Sequence, residues 1–171
     1  TKDSGENPIT GVTVDLIIDD GDGIYDVNKD LLWATDTTDT GGLYGFSLLG
    51  ANKYFVRVPF DNFATGASLN TLGSSTGSVT GNSDQNDKDH GVDDTAYLTK
   101  GIYSSAIDLA AGTEPASGVD SDGTNGNLTI DFSFACATPV LVPSPKTQTT
   151  CVGVPPSAFS VNNVAINYQW Y

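Results

Sequence analysis

Apolar and polar residues alternate along several short segments of the chain, and this period of two is typical of β-strands rather than of helices. In the first such segment, alternate residues would share one face of a strand: Val12, Val14, Leu16 and Ile18. The clearest alternation lies at 127–134, where the residues expected to point inward are Leu128, Ile130, Phe132 and Phe134. The residues expected to point outward there are Thr129, Asp131 and Ser133. Further strands are predicted at 32–37, 43–48, 53–58 and 102–109.

Turn-forming residues separate these segments at 39–42, 50–52 and 111–113. Several short strands at this spacing predict an all-β fold, a β-sandwich. The stretch 62–95 differs, because it is rich in Gly, Ser, Thr, Asn and Asp and has few apolar anchors. A loop of this length in a compact domain needs something to order it, and a bound cation is the expected agent.

The sequence divides into three parts. Residues 1–136 hold the predicted sandwich, and residues 137–146 form a linker whose three prolines favour an extended, semi-rigid chain. Residues 147–171 alternate again but supply only two or three strands, too few to bury a core of their own. The chain is therefore expected to end within a second domain.

The charge of the chain is strongly negative, with 21 acidic residues against 7 Lys plus Arg and a formal net charge of −14. Nucleic-acid binding is not expected, because phosphate contacts need clustered Lys and Arg. No segment approaches the roughly 20 apolar residues of a membrane span, so membrane insertion is not expected either. Divalent cations would relieve the repulsion among the acidic side chains.

Several motifs resemble the SdrD B-like (Cna-B-like) repeat of large bacterial surface proteins. Residues 6–14, Glu-Asn-Pro-Ile-Thr-Gly-Val-Thr-Val, resemble the acidic turn and Gly-Val-x-Val strand with which that repeat begins. Residues 37–46, Thr-Thr-Asp-Thr-Gly-Gly-Leu-Tyr-Gly-Phe, are similar to its Thr-Asp-x-x-Gly-x-Tyr-x-Phe hairpin. Residues 53–58 resemble the strand that follows, and 104–115 with 127–134 resemble the closing segment. This resemblance implies a Cna-B-type β-sandwich in a protein that is secreted to the bacterial cell surface.

The resemblance has two departures from the family pattern. The family's first strand is missing or lies before Thr1, and Ser133 stands where the closing motif has Gly. The Lys–Asn isopeptide bond of some Cna-B relatives needs a Lys on that first strand, so no such bond is expected here. Residues 147–171 are similar to the first half of an immunoglobulin-like repeat, in which Trp170 would be the core tryptophan.

Four clusters of acidic and amide side chains are candidate calcium sites, because calcium takes six to eight oxygen ligands in flexible geometry. The first is the loop at 19–26, with Asp30 nearby, and its candidate ligands are Asp19, Asp20, Asp22 and Asp26. The second cluster comprises Asp84, Asn86, Asp87, Asp89, Asp93 and Asp94. The third comprises Asp120, Asp122, Asn125 and Asn127, and the fourth Asp3 and Glu6. The alternative for each is a solvated turn, which is the preferred explanation for the third and fourth clusters.

Catalysis is not predicted. A site built from His90 with Ser83 or Ser104 is formally possible, but no nucleophile elbow accompanies it. A lone histidine in an Asp-rich loop is expected to be solvated. Transition-metal sites need clusters of His or Cys, and the sequence has one His and two Cys.

The function predicted from these observations is mechanical: a calcium-rigidified, non-enzymatic module of a secreted adhesin, stalk or extracellular filament. The alternative is a module that binds a carbohydrate or a host protein through the 62–95 loop. Neighbouring copies or adjacent repeats of the same protein are the expected partners, with strands from 138–171 completing a sheet of the next copy. The simpler alternative is that the missing strands belong to a longer polypeptide. A disulfide between Cys136 and Cys151 is also predicted, which suits an oxidising compartment.

Overall fold

The computed structural model describes residues 7–75, 89–92, 96–112, 114, 126–136, 143–144 and 160–161. Within these residues the chain is all-β, as predicted, with a single-turn α-helix, α1 (Tyr97–Lys100), and one 3-10 helix (Phe60–Phe63). The strands are β1 (Thr13–Ile18), β2 (Leu31–Thr37), β3 (Asn52–Val58), β4 (Leu72–Ser74), β5 (Ile102–Tyr103), β6 (Ile107–Leu109), β7 (Phe134–Cys136), β8 (Pro143–Ser144) and β9 (Ser160–Val161). None of the helices in this described part is long and apolar enough to cross a membrane.

The main sheet is antiparallel and has the order β2-β1-β3-β5, with β6 pairing the other end of β3. Its centre is β1, where Leu16 faces Ala34 of β2 and Val56 of β3. The register between β1 and β2 shifts between Leu16 and Ile17, which is a β-bulge. Among the described strands β2 lies at an edge, and its first three residues are exposed: Leu31, Leu32 and Trp33.

The core lies on one side of this sheet. The alternation predicted for 12–18 and 53–58 is confirmed on that side, where the fully buried residues are Val12, Val14, Leu16, Tyr54, Val56 and Val58. Ile102 of β5 and Ile107 of β6 belong to the same cluster, and Phe63 and Leu69 complete it from outside the sheet. Asp15 and Ile17, on the opposite side of β1, are buried as well. Their burial shows that something covers the outer side of the sheet, and part of that cover is the loop between β1 and β2.

The segment 43–48 was predicted as a strand, and the structure corrects this. Burial does alternate along it, since Tyr44 and Phe46 pack against the core while Leu43 and Ser47 are exposed. No strand forms, however, and Leu48 has a φ of 59° and a fully exposed side chain. The left-handed backbone of Leu48 marks the end of the segment, and residues 43–47 form no ladder with another described strand.

The predicted strand at 127–134 is also largely wrong, because only Phe134 of that segment belongs to a strand, β7, which pairs with β4. Leu128 is exposed, whereas Thr129 is fully buried. The reason is local: the Asn127 side-chain oxygen accepts bonds from both the backbone N–H and the hydroxyl of Thr129, at 2.9 and 2.7 Å. Asparagine makes such turns readily, and this one directs Thr129 inward. Further along, the apolar residues pack against the core as expected: Ile130, Phe132 and Phe134.

The first part of the 62–95 stretch has stronger apolar anchors than the sequence suggested. Phe63 and Leu69 belong to the buried core, and β4 follows them at Leu72–Ser74. Burial of these side chains anchors residues 62–75 on the core. Residues 76–88 and 93–95 lie outside the described residues.

The chain forms two compact units, residues 1–136 and residues 137–171. In the second unit β8 pairs antiparallel with β9. The rest of the predicted linker and of the immunoglobulin-like segment, including Trp170, lies outside the described residues, so both stay predictions.

Cys136 ends β7 and is exposed, and the predicted disulfide stays a prediction. Its expected partner, Cys151, lies outside the described residues and belongs to the second unit.

Candidate metal site

Three aspartates converge on the loop that joins β1 to β2. Asp19, Asp20 and Asp22 each offer a carboxylate oxygen, and these oxygens lie within 4.8 Å of one another. Asp19 is buried because it follows directly on the buried end of β1, and the other two are exposed. This loop therefore brings together three of the four ligands predicted for the first cluster.

Backbone N–H groups hold these carboxylates in place. Both oxygens of Asp19 accept from the N–H of Gly23, at 3.1 and 3.0 Å. Asp20 Oδ1 accepts from the N–H of Asp22 at 3.2 Å, and Asp22 Oδ1 accepts from the N–H of Ile24 at 2.8 Å. The second oxygen of Asp20 accepts no hydrogen bond from the described residues, whereas that of Asp22 faces the ammonium group of Lys29.

Asp26 and Asp30 have other roles in the loop. The Asp30 carboxylate accepts from the N–H of Asp20 at 3.0 Å and from that of Asp26 at 2.6 Å, so it joins the two ends of the loop. Asp26 was predicted to converge with Asp20 and Asp22 but lies outside the group of three. Its carboxylate instead accepts from the N–H of Asn28 at 2.9 Å. That bond is the main reason why the pKa of Asp26 is lowered, and the charge of Lys29 adds to it.

Lys29 is the cation nearest to these carboxylates in the described structure. Its Nζ lies 3.7 Å from Asp22 Oδ2 and 3.5 Å from Asp26 Oδ2. The charges of Asp26, Asp22 and Asp20, in that order, raise the pKa of Lys29. Because the pairs are exposed, they add little to stability. A metal ion bound between these aspartates would compete with the ammonium group of Lys29 for the Asp22 carboxylate.

Tyr25 attaches the acidic loop to the outer side of the sheet. Its ring centroid lies 5.7 Å from that of Phe55 on β3 and 4.6 Å from that of Tyr103 on β5. Its hydroxyl oxygen accepts a 2.6 Å hydrogen bond from the guanidinium of Arg57. The loop therefore lies over the sheet and is fixed to it by an aromatic side chain.

Arg57 belongs to a polar row that crosses β2, β1, β3 and β5. Its Nε donates to Asp15 Oδ2 at 3.2 Å, and a second guanidinium nitrogen donates to the same oxygen, which makes the two side chains an ion pair. The other oxygen of Asp15 accepts from the Thr35 hydroxyl at 2.8 Å. Thr35 pairs with Asp15 and Arg57 with Tyr103 in the strand register, so these four side chains share one side of the sheet.

Sequence reasoning missed this connection between loop and sheet. Two signals were present: a tyrosine within an otherwise acidic loop, and an arginine in the middle of an alternating strand of a chain with few cations. Neither signal identifies the partner, because Tyr25 and Arg57 are 32 residues apart in sequence.

The second predicted cluster is represented in the described residues by Asp89 alone. It is buried, and its oxygens accept from the N–H of Gly91 at 2.8 Å and from the hydroxyl of Ser75 at 3.0 Å. The other candidates lie outside the described residues: Asp84, Asn86, Asp87, Asp93 and Asp94. The same holds for most of the third and fourth clusters: Asp120, Asp122, Asn125, Asp3 and Glu6. These assignments stay predictions.

His90 was expected to be solvated, and this is wrong, because the residue is only 1% exposed. Its Nδ1 lies 3.2 Å from Asp131 Oδ1, and its backbone N–H donates to the Asp131 carbonyl at 3.0 Å. Ser104, considered beside His90 as a possible nucleophile, is also buried. Its hydroxyl oxygen accepts the backbone N–H of Val56 at 3.0 Å. Both residues take part in hydrogen bonds that hold neighbouring segments together.

Comparison of the chain with protein-family models, with curated proteins and with solved structures finds no match.

Proposed function

We propose that the chain is a non-enzymatic structural module of a secreted bacterial surface protein, an adhesin, stalk or extracellular filament, and that bound calcium stiffens it. The proposed architecture is a Cna-B-type sandwich, a Pro-rich linker at 137–146 and the start of an immunoglobulin-like domain at 147–171. The observation that carries the calcium part is the convergence of Asp19, Asp20 and Asp22 on a loop attached to the sheet.

The chemistry of the three side chains suits calcium. Carboxylate oxygens are the ligands that calcium prefers, and water or backbone carbonyls can complete its coordination. Three carboxylates within 4.8 Å repel one another unless a cation lies between them. In a chain with a net charge of −14, a bound divalent ion also relieves long-range repulsion.

Calcium would stiffen more than the loop itself. A cation held by Asp19, Asp20 and Asp22 fixes the first half of the loop, while the stacking of Tyr25 on Phe55 and Tyr103 fixes its middle. Since Tyr25 also contacts Arg57, order in the loop is transmitted to the polar row across the sheet. Through these contacts, ion binding in the loop would make the main sheet more rigid as well.

The alternative, a carbohydrate- or host-protein-binding module, has less support in the structure. Recognition sites of this kind use accessible aromatic side chains. The single aromatic residue of the 62–95 stretch is Phe63, and it is buried in the core.

Thermal unfolding with calcium and with a chelator tests the proposal. A ligand that binds only the folded state stabilises it by about 2.7 kcal/mol at a hundredfold excess over its dissociation constant, so the calcium sample should melt later. Asp20→Asn should abolish most of this difference. Asp61→Asn, which removes one charge from the 3-10 helix far from the loop in sequence, should leave it intact. Superimposed melts of the unaltered chain would contradict the calcium proposal.

Lys29→Gln should tighten calcium binding. Removing the ammonium group abolishes a competing cation beside Asp22 and Asp26, and we expect roughly two- to threefold tighter binding because the pair is exposed and screened by salt. Calorimetric titration of both proteins at one ionic strength measures the change. Lys100→Gln on α1 is the matched loss of one positive charge and should leave the affinity unchanged. Weaker binding by the Lys29 variant would place the ion elsewhere.

A further inference from the structure

The loop between β1 and β2 contains two Asp-Gly pairs in succession, at residues 20–21 and 22–23. An aspartate that is followed by glycine can close a succinimide ring, because no Cβ atom shields the backbone nitrogen of the glycine that attacks. Both aspartates are exposed, and a Cβ built at either glycine would meet no atom within 4 Å. In their steric surroundings, the two pairs are therefore equally open to this reaction.

The side chains of the two aspartates are held in the same way. Asp20 Oδ1 accepts the N–H of Asp22 at 3.2 Å, and Asp22 Oδ1 accepts the N–H of Ile24 at 2.8 Å. Each of these contacts is an Asx turn, in which the side chain of the aspartate folds back over the following peptide unit. Each carboxyl group is therefore held near the peptide unit whose nitrogen would attack it.

The two glycines differ in what their N–H groups contact. The N–H of Gly23 donates to both oxygens of the buried Asp19, at 3.1 and 3.0 Å. The N–H of Gly21 donates to no acceptor in the described part of the protein. A peptide nitrogen attacks only after it loses its proton, and a hydrogen bond to a carboxylate stabilises the protonated nitrogen. Asp19 therefore opposes the reaction at Gly23, whereas nothing described opposes it at Gly21.

We propose that Asp20 is a site of spontaneous isomerisation to isoaspartate, and that Asp19 protects Asp22 from the same reaction. The bond that forms joins the nitrogen of Gly21 to Cγ of Asp20. The bond that breaks joins Cγ to a carboxyl oxygen, which leaves as water together with the amide proton. One water molecule then opens the succinimide ring at its backbone carbonyl, so the sequence of steps needs no oxidant and no further reactant.

The product differs from aspartate in its geometry. The backbone of the loop gains one methylene group, and the free carboxylate is attached directly to Cα. The Asx turn at Asp20 is lost, and the carboxylate no longer lies where it converges with those of Asp19 and Asp22. The isomerisation itself does not depend on a bound ion, whereas its expected effect, weaker calcium binding, rests on the function proposed above.

Incubation of the full chain near neutral pH with a chelator, followed by peptide mapping, tests the proposal. Isoaspartate leaves the mass unchanged, but electron-transfer fragmentation assigns it to a single residue. This assignment is needed because the sequence has a third Asp-Gly at 122–123 and an Asn-Gly at 125–126. In the folded chain, Asp20 should isomerise at least about tenfold faster than Asp22, because a hydrogen bond to a charged acceptor separates the two pairs. In the same chain unfolded in guanidinium chloride, the two rates should be similar.

Two variants separate the contact with Asp19 from the general order of the loop. Asp19→Ala removes the acceptor of the Gly23 N–H, and the rate at Asp22 should rise to within about twofold of the rate at Asp20. Asp30→Ala is the matched control, because it removes a carboxylate that joins the two ends of the same loop without contacting Gly23. In this control Asp20 should still react faster than Asp22 by about the ratio of the unaltered chain.

Several results would overturn the proposal. Equal rates at Asp20 and Asp22 in the folded chain, or an equal loss of the difference in both variants, would remove the protective role of Asp19. Isoaspartate at Asp20 in the unfolded chain but not in the folded chain would show that the fold protects this residue as well. A difference that persists after unfolding would assign it to local sequence. Because every sample contains chelator, failure of the calcium proposal leaves these results unaffected.

Discussion

Arg57→Met should destabilise the first unit by about 3–5 kcal/mol, the range found when one partner of a buried ion pair is removed. Asp15 is buried, and after the substitution its carboxylate would keep the Thr35 hydroxyl but no positive charge. The substitution also removes the hydrogen bond to Tyr25, so the acidic loop should loosen as well. Urea unfolding followed by circular dichroism measures the free energy of unfolding.

The double variant Asp15→Asn with Arg57→Met separates the two effects. Removing both charges leaves no uncompensated ion in the interior, so most of the lost stability should return. Tyr25→Phe serves as the control for the loop, because it keeps the aromatic stacking and removes only the hydroxyl. If Arg57→Met alone costs less than about 1 kcal/mol, the ion pair behaves as a surface pair, and the polar row does not hold the sheet together.

Gly101→Ala should be destabilising by more than about 3 kcal/mol, since left-handed strain and steric overlap act together. Gly101 lies between α1 and β5 with φ at 80° and ψ at −176°, a conformation that is essentially restricted to glycine. A Cβ there would overlap the carbonyl oxygen of Val58 and approach Pro59 Cα to 3.0 Å. Neither neighbour can move easily, because Val58 is part of the buried core.

Gly112→Ala is the matched control for this substitution. Gly112 has the same φ of 80°, but a Cβ there meets no atom within 4 Å. It should therefore show only the cost of left-handed backbone, about 1–2 kcal/mol. Thermal or urea unfolding of both variants compares them, and equal losses would show that the close approach to Val58 is unimportant.

The sequence predicted the sheet best where strands are held by the core. β1 and β3 were predicted almost to their ends, because alternate residues such as Val14 and Val56 enter one hydrophobic cluster and this leaves a period of two in the sequence. The prediction failed at 43–48 because hydrophobic alternation, which Tyr44 and Phe46 do show, does not reveal whether the backbone pairs with a neighbouring strand. It failed near Thr129 because a side-chain bond from Asn127 overrides the alternation.

The sequence predicts which side chains of the loop could bind a cation, but not which residues of the sheet contact that loop. Local sequence was sufficient to bring Asp19, Asp20 and Asp22 together, since they are neighbours in one short loop. For the other polar residues, contacts with residues distant in the sequence decide whether the side chain is buried. His90 seemed solvated from its acidic neighbours in sequence, but its main contact, Asp131, lies 41 residues away. From its position in the alternating strand, Asp15 is expected to be an exposed, outward-facing residue. In the structure it is buried, because it pairs with Arg57 beneath the covering loop.

The exposed start of β2 is an apolar run at an edge of the described sheet. Leu31, Leu32 and Trp33 form an apolar run on an edge strand, the kind of segment that nucleates aggregation when it meets another open edge. Asp30 precedes this run and Asp36 lies near its end, which is where gatekeeper charges oppose such pairing. The N–H groups of Gly45 and Thr37 lower the pKa of Asp36, so this gatekeeper keeps its charge in mildly acidic surroundings. We therefore expect these two negative charges to oppose the pairing of β2 with another open edge, and replacing both by Asn to increase aggregation.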